Sequence, residues 1–185
     1  MNNIYFFMRH GQSLANLKHL VITKPENAID HYGLSAIGKK QVLNSISKNK
    51  DLNKDTIIYS SDFKRAKETA EIVREHIKAK PIIFSKNLRE RALGVYEKGK
   101  DKMYRELWEN DLKENTLKSC ESISSIAKRF KELITDIEKK HKGKKILFVT
   151  HGDIISVGLS VLNNKPVKEH HKRYSILENA EIKKS

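Results

Sequence analysis

The chain has 185 residues, with 37 lysines and arginines against 23 aspartates and glutamates, and its formal net charge is +14. This length suits one hydrophobic core, so we expect residues 1–185 to form a single domain. The only cysteine, Cys120, excludes an internal disulfide and a cysteine-rich metal site. The apolar runs are too short to span a bilayer and the N-terminus lacks a secretory signal, so we expect a cytoplasmic protein with no membrane partner.

The positive charge has two interpretations. A basic surface concentrates anionic substrates, and it can also bind nucleic acid or anionic membranes. The lysines are spread along the chain, however, and they do not form the basic blocks interleaved with aromatic residues that nucleic-acid binders use. We therefore interpret the charge as a generally lysine-rich composition and expect no nucleic-acid partner.

The first predicted element is an apolar run, Ile4 to Met8, that ends at Arg9-His10-Gly11 and is followed by polar, helix-compatible residues. This pattern predicts a strand, a turn and a helix. In an open α/β sheet, ligands bind outside the carboxyl ends of the strands. Arg9 offers donors that match phosphate, His10 can be nucleophile, base or cation, and Gly11 lets the backbone approach a ligand closely. The alternative is a strand that ends in two solvated polar residues.

The next segment predicts a loop over residues 18–34 and then a helix. Ser35 suits the N-cap of this helix because its hydroxyl can accept a backbone N–H, whereas Gly38 weakens the first turn. Four apolar residues can share one face of the helix: Ile37, Val42, Leu43 and Ile46.

A strand over residues 56–60 precedes the clearest amphipathic helix of the chain. Asp62 is predicted to cap that helix. The apolar side chains recur at three- and four-residue steps: Phe63, Ala66, Ala70, Val73 and Ile77. Arg65 lies in the first turn and off this stripe, so we expect it to point back toward the strand ends; the alternative is an ordinary surface arginine.

A short strand over residues 81–84 and a charged loop over 88–102 follow, and then a helix around Trp108. The charged loop contains Glu90, and loops held by a rigid scaffold often carry function. A second amphipathic helix runs from Ile123 to Ile137, and Gly143 ends it. The last predicted strand is Tyr174 to Leu177, followed by a turn at Asn179-Ala180.

A second His-Gly turn occurs late in the chain. The run Lys145 to Thr150 ends in His151-Gly152, and an apolar, helix-like stretch follows from Ile154 to Leu162. If both strands are parallel members of one sheet, their carboxyl ends lie on the same edge. His10 and His151 would then face one pocket. Strands that alternate with helices predict an α/β sandwich.

Several separated motifs, in order and nearly end to end, resemble the histidine phosphatase superfamily, the phosphoglycerate mutase-like proteins. These motifs are Arg9-His10-Gly11-Gln12-Ser13-Leu14-Ala15-Asn16, Tyr59-Ser60-Ser61 leading to Arg65-Ala66 and Thr69-Ala70, Glu90-Arg91, and Thr150-His151-Gly152. The resemblance implies a three-layer α/β/α sandwich around a mixed, mostly parallel sheet.

The resemblance also implies a phosphatase that hydrolyses a small phosphomonoester through a phosphohistidine on His10, without a metal or other cofactor. Glu90 would protonate the leaving group and then activate water; the alternative is a surface carboxylate paired with Arg89 or Arg91. The implied catalytic residues are His10, Glu90 and His151, and the implied phosphate-binding residues are Arg9, Asn16, Arg65 and Gly152.

Some residues depart from the family pattern. The segment 94–97 resembles the phosphatase branch, but Lys98 interrupts the usual Glu-Gly-Lys and would displace the substrate loop. Asp153 stands where a second glycine is common, and a carboxylate there would repel a bound phosphate.

Three alternatives to a phosphatase stay open at this point. A phosphoglycerate or phosphosugar mutase belongs to the same family. A basic, non-catalytic binding protein on the same fold is supported only by the diffuse charge. A metal site built from the eight histidines is disfavoured, because the adjacent pair His170-His171 does not share a helix face and no HExxH spacing occurs.

Overall fold

The structure is a computed structural model that describes residues 1–100, 103–117 and 119–185. Residues 101 and 102, at the end of the predicted charged loop, lie outside the described residues. The strands are β1 (Ile4–Arg9), β2 (Ile57–Ser60), β3 (Ile83–Phe84), β4 (Lys145–Thr150) and β5 (Ile182–Lys184). The helices are α1 (Leu14–Leu17), α2 (Pro25–Ala28), α3 (Ala36–Lys48), α4 (Lys64–Ile77), α5 (Tyr104–Leu112), α6 (Ile123–Lys140), α7 (Gly152–Leu162) and α8 (His170–Arg173).

The strands form one sheet in the order β3-β2-β4-β1-β5. Strands β1 to β4 are parallel to one another, and β5 runs antiparallel to β1. Successive side chains of a strand point to opposite faces of the sheet. Tyr5 and Phe7 pack with α6 and α7 on one face. Phe6 and Met8 pack with α3 and α4 on the other face. The predicted three-layer α/β/α sandwich around a mixed, mostly parallel sheet is therefore confirmed.

The α6 helix shows how the sequence builds these layers. Ser122 caps its N-terminus by accepting the Ser125 backbone N–H, as an N-cap serine does. Its buried face is the predicted apolar stripe: Ile123, Ile126, Ala127, Phe130, Leu133, Ile134 and Ile137. Each large apolar side chain so buried contributes roughly 1.5–3 kcal/mol. None of the helices in the described ranges has both the length and the apolar character needed to cross a membrane.

The prediction of a last strand over Tyr174 to Leu177 is wrong. That segment has no strand partner, and β5 lies a few residues later, beside β1. The apolar residues of the segment are explained by packing, since Tyr174 and Leu177 pack against the core on the α6 and α7 side. The turn predicted at Asn179-Ala180 is present, and the Ala180 N–H donates to the Arg9 carbonyl at 3.1 Å.

Two local predictions about helix ends and faces also need correction. Asp62 does not cap α4; its carboxylate binds the Arg89 guanidinium through both oxygens, at 2.7 and 2.5 Å. The α3 helix is capped by Ser35 as predicted. Val42 and Ile46 are buried on α3, but Ile37 and Leu43 are exposed. The face of α3 that packs on the sheet is therefore narrower than its apolar sequence indicates.

Two glycines let the turn after β1 lie directly against α3. A Cβ on Gly38 would lie 2.1 Å from the Gln12 carbonyl oxygen, and a Cβ on Gly11 would lie 2.6 Å from the Gly38 carbonyl oxygen. The sequence suggested that Gly11 makes room for a ligand. In the structure, Gly11 makes room for the backbone of α3, and this contact fixes the position of the turn.

We expect Gly38→Ala to destabilise the protein. Alanine normally stabilises a helix relative to glycine, but here its Cβ meets a backbone oxygen that cannot rotate away. Overpacking of this kind costs roughly 1–3 kcal/mol, which lowers the Tm by about 2–4 °C per kcal/mol in a chain of this size. Thermal unfolding checks this, with the exposed neighbour change Lys39→Ala as control. An unchanged Tm for Gly38→Ala would contradict the close approach.

Candidate functional site

The register between β1 and β4 brings the two His-Gly turns together. Arg9 pairs with Thr150, so the residues that follow them leave the sheet side by side. The His10 N–H donates to the Thr150 carbonyl at 3.1 Å. The rings of His10 and His151 meet edge to face, with centroids 5.2 Å apart. Both histidines are buried at the carboxyl edge of the sheet, where the sequence predicted a shared pocket.

A cavity of about 710 Å³ opens at this edge. It is lined by six of the seven predicted site residues: Arg9, His10, Asn16, Arg65, Glu90 and Gly152. The seventh, His151, contacts the site through the His10 ring. The structure therefore brings together all of the residues that the sequence singled out.

The His10 ring is held in one orientation. Its Nδ1 lies 2.8 Å from the Gly11 carbonyl oxygen, and since a carbonyl only accepts, Nδ1 must carry the proton. This leaves a lone pair on Nε2, to which Arg65 Nε donates at 3.1 Å. Burial, followed by the charges of Arg65 and Arg9, holds the His10 pKa well below its ordinary value. His10 is thus a neutral imidazole with a nucleophilic Nε2 at neutral pH.

Three buried nitrogens around these rings have no hydrogen-bond partner among the described residues. They are Arg9 Nε, Arg65 Nη1 and His151 Nδ1. Backbone carbonyls hold the two arginines from behind: Arg9 donates to Leu177 at 2.7 Å and Arg65 donates to Ile22 at 3.1 Å. Burial lowers the Arg65 pKa to about 10, so the Arg65 guanidinium stays charged at neutral pH. The site is electropositive and offers these donors to an anion.

Asn16 and Gly152 border the same cavity from two helix starts. Asn16 lies in α1, and its Oδ1 accepts from the Ser13 backbone N–H at 3.0 Å and from the Ser13 hydroxyl at 2.9 Å. These two bonds occupy the Asn16 amide oxygen, so the amide nitrogen is left to donate to a ligand. Gly152 begins α7, where backbone N–H groups lack intrahelical partners and favour an anion.

Glu90 is not a surface carboxylate paired with a neighbouring arginine. Arg89 pairs with Asp62, and Arg91 forms a fully buried two-bond ion pair with Asp111, at 2.7 and 2.9 Å. The Glu90 carboxylate instead lines the cavity and accepts the Arg91 backbone N–H at 2.9 Å. Burial, followed by the charge of Asp153, raises the Glu90 pKa to about 7. A carboxyl with this pKa can donate and accept a proton near neutral pH.

Asp153 is a site residue whose role the sequence did not show. The expected repulsion of a phosphate is offset, because one carboxylate oxygen accepts from Trp108 Nε1 at 3.1 Å and the other lies 3.7 Å from Arg91 Nη1. Trp108 in turn stacks on His171. Three side chains of α5 line the cavity and were also missed: Tyr104, Arg105 and Trp108. Their spacing in the sequence places them on one side of the helix, but the sequence does not show that this side faces the cavity; the tertiary packing determines it.

The insertion at Lys98 leaves the following loop anchored. Lys98 takes up a left-handed backbone conformation (φ 62°), and its N–H donates to the Val21 carbonyl at 2.7 Å. The Glu97 carboxylate accepts from the backbone and hydroxyl of Thr23, at 2.7 and 3.0 Å. These bonds tie the loop to the segment that forms one wall of the cavity. Within the described ranges, no group of three or more His, Cys, Asp or Glu is placed to hold a metal ion.

The site thus combines a neutral histidine, guanidinium donors that can bind an anion and a carboxyl of raised pKa that can exchange a proton. The chain belongs to the histidine phosphatase superfamily (branch 1), whose family model matches residues 5–184.

Two relatives from Arabidopsis thaliana illustrate this similarity. The chain is 29% identical over 156 residues to phosphoglycerate mutase-like protein 4, covering 80% of this chain and 66% of the relative. It is 27% identical over 156 residues to a metal-independent phosphoserine phosphatase, covering 80% of this chain and 63% of the relative. The chain thus spans slightly less than two thirds of the length of these two relatives.

Solved structures share the fold. A mycobacterial glucosyl-3-phosphoglycerate phosphatase superposes with a TM-score of 0.79 at 22% identity, covering 98% of this chain and 88% of that one. Bacillus stearothermophilus YhfR superposes with a TM-score of 0.80 at 21% identity, covering 98% and 90%.

We expect Asp153→Asn to lower the pKa of Glu90 below its value of about 7. The negative charge of Asp153 favours the protonated form of Glu90, so its removal favours the carboxylate. The substitution also leaves the positive charge of Arg91 less balanced, and that charge lowers the Glu90 pKa further. Carboxyl ¹³C NMR titration measures the shift directly. Asp136→Asn, on the outer side of α6, is the control. An unshifted Glu90 titration in Asp153→Asn would mean that burial alone sets this pKa.

Proposed function

We propose that the protein is a phosphatase that hydrolyses small phosphomonoesters through a phosphohistidine on His10. One observation carries the proposal: unpaired nitrogens of Arg9, Arg65 and His151 are buried around a histidine whose Nε2 has a lone pair. Phosphoryl transfer develops charge on three equatorial oxygens, and catalysis consists mainly of positioning and charge stabilisation. The donors supply that stabilisation, and Nε2 supplies the nucleophile.

The first half-reaction transfers the phosphoryl group to the enzyme. When a substrate binds, a phosphoryl oxygen takes over the Arg65 Nε–H that otherwise contacts His10 Nε2, which frees the lone pair. The Nε2–P bond forms as the bond between phosphorus and the ester oxygen breaks. Protonated Glu90 gives its proton to that oxygen, so an alcohol leaves and Glu90 becomes a carboxylate.

The second half-reaction returns the enzyme to its starting state. The Glu90 carboxylate takes a proton from water, and the oxygen of that water attacks phosphorus as the Nε2–P bond breaks. Inorganic phosphate leaves with a neutral His10 and a protonated Glu90. A pKa of about 7 suits both directions of this proton transfer. The residues supply every step, so the proposed activity needs no metal, as the name of the related phosphoserine phosphatase also states of that protein.

The non-catalytic alternative has less support. A non-catalytic binding protein has no need for a His10 ring locked with Nε2 toward a guanidinium or for a carboxyl of raised pKa. A coupled assay separates the phosphatase from a phosphoglycerate mutase, because a mutase would interconvert phosphoglycerates faster than it releases phosphate. A single domain over residues 1–185 and a cytoplasmic location stay predictions.

We expect His10→Ala to abolish turnover while the fold is kept. The substitution removes the imidazole whose Nε2 lies beside the Arg65 guanidinium, and alanine leaves the surrounding backbone unchanged. Release of phosphate from p-nitrophenyl phosphate and from alkyl phosphates, measured with EDTA present, checks the loss. The exposed His76→Ala is the matched control.

The wild-type protein should form a phosphoenzyme that survives alkali and decays in acid, and His10→Ala should not. Near-wild-type activity of His10→Ala with normal thermal unfolding would overturn the mechanism. Loss of wild-type activity in EDTA, restored by a metal, would overturn the metal-independent chemistry.

We expect Glu90→Gln to slow phosphoenzyme formation from alkyl phosphates much more than from aryl phosphates. An alkoxide is a poor leaving group without a proton, whereas p-nitrophenolate leaves readily, so general acid help of roughly 10²–10⁴-fold applies mainly to the alkyl substrate. The burst phase or a single turnover isolates this step from hydrolysis. Glu106→Gln, exposed on α5, is the control. Equal slowing of both substrates would assign Glu90 a positioning role instead.

A further inference from the structure

We propose that Ser61 is a positioning residue that fixes the tautomer of His151, so that the neutral ring offers an Nδ1–H to the phosphoryl group. The inference deepens the proposed function and rests on it. Ser61 follows β2, one residue beyond the paired positions Ser60 and Val149. Its Oγ lies 2.9 Å from His151 Nε2, and both residues are fully buried (0% exposed).

The Ser61 hydroxyl is fixed by its own surroundings. The Ser61 backbone N–H donates to the Val149 carbonyl at 3.0 Å, which ties the residue to the end of β4. Its Oγ accepts the Phe63 backbone N–H at 3.3 Å. No acceptor for the hydroxyl proton is present among the described residues other than His151 Nε2. A buried hydroxyl proton without an acceptor is unfavourable, so the hydroxyl donates to Nε2.

This donation determines which nitrogen of His151 carries the proton. Burial, followed by the charge of Arg65, holds the His151 pKa well below its ordinary value, so the ring is neutral with a single N–H. Since Nε2 accepts from Ser61, the proton must reside on Nδ1. Nδ1 is the nitrogen without a partner among the described residues. In the opposite tautomer Nδ1 would present a lone pair, which repels a phosphoryl oxygen.

The tautomer is therefore what makes His151 a donor rather than an acceptor. The His10 ring is also fixed by one hydrogen bond, but through the other nitrogen. The Gly11 carbonyl accepts from Nδ1 of His10, which leaves Nε2 unprotonated as the nucleophile. The centroids of the two rings are 5.2 Å apart, and the rings have different roles. The role of each ring is set by a hydrogen bond to its other nitrogen. The Ser61 hydroxyl thus makes His151 a donor, and the Gly11 carbonyl makes His10 a nucleophile.

The test uses Ser61→Ala with Ser60→Ala as matched control. Ser60 is also fully buried, and its hydroxyl donates to the Ser61 carbonyl at 2.9 Å, so the control removes a neighbouring buried hydroxyl without touching the ring. Histidine ¹⁵N NMR of each protein, recorded with inorganic phosphate as the probe, reports which ring nitrogen is protonated. The His151 signals are assigned by their absence in His151→Asn.

In the wild type and in Ser60→Ala, we expect a protonated Nδ1 and an unprotonated Nε2 on His151. In Ser61→Ala, we expect a mixture or the reverse tautomer. The kcat/KM of Ser61→Ala should fall by about 10- to 100-fold, less than the roughly 10²–10³-fold loss of a whole oxyanion donor, and that of Ser60→Ala by no more than a few-fold. Ser61→Thr, which keeps the hydroxyl, should restore the wild-type tautomer.

A wild-type His151 protonated on Nε2, or an unchanged tautomer in Ser61→Ala, would overturn the inference. The NMR measurement needs no turnover, so it separates this inference from the proposed function. A wild-type protein that hydrolyses no phosphomonoester but shows the Nδ1–H tautomer would count against the phosphatase and not against the role of Ser61.

Discussion

The pairing of β1 with β4 is the constraint on which the rest of the site depends. Arg9 lies opposite Thr150, so both His-Gly turns leave the sheet at the same level and on the same edge. Side chains alternate between faces along a strand, so a shift of one residue would send the two rings to opposite faces of the sheet. The glycine contact between the first turn and α3 then fixes His10 in its final position.

Burial of several positive charges around two neutral rings gives the site its chemistry. The Arg65 guanidinium contacts His10 directly and, with burial, keeps that ring unprotonated. The arrangement is costly, because it buries the Arg65 guanidinium. The surrounding backbone carbonyls and the hydrophobic core on both faces of the sheet stabilise it.

A second buried network connects Glu90 to the wall of the cavity. Arg91 bonds to Asp111 on α5 and lies close to Asp153 on α7, and Asp153 accepts from Trp108 on α5. The peptide that carries Glu90 is thus held by two helices that also line the cavity.

The sequence by itself determined the sandwich, the strand ends that carry His10 and His151, and the resemblance that named Arg65 and Glu90. Hydrophobic periodicity and local turns specify the strands, helices and strand ends, because these depend on neighbours in the chain, whereas the family motifs pointed to Arg65 and Glu90. Only the tertiary structure decided that Asp62 pairs with Arg89, that the last strand lies at Ile182–Lys184, and that Ser61 contacts His151. Each of these depends on which groups meet across long sequence separations. Local patterns carry no information about such partners, whereas burial favours hydrogen bonds for most of the polar groups that it encloses.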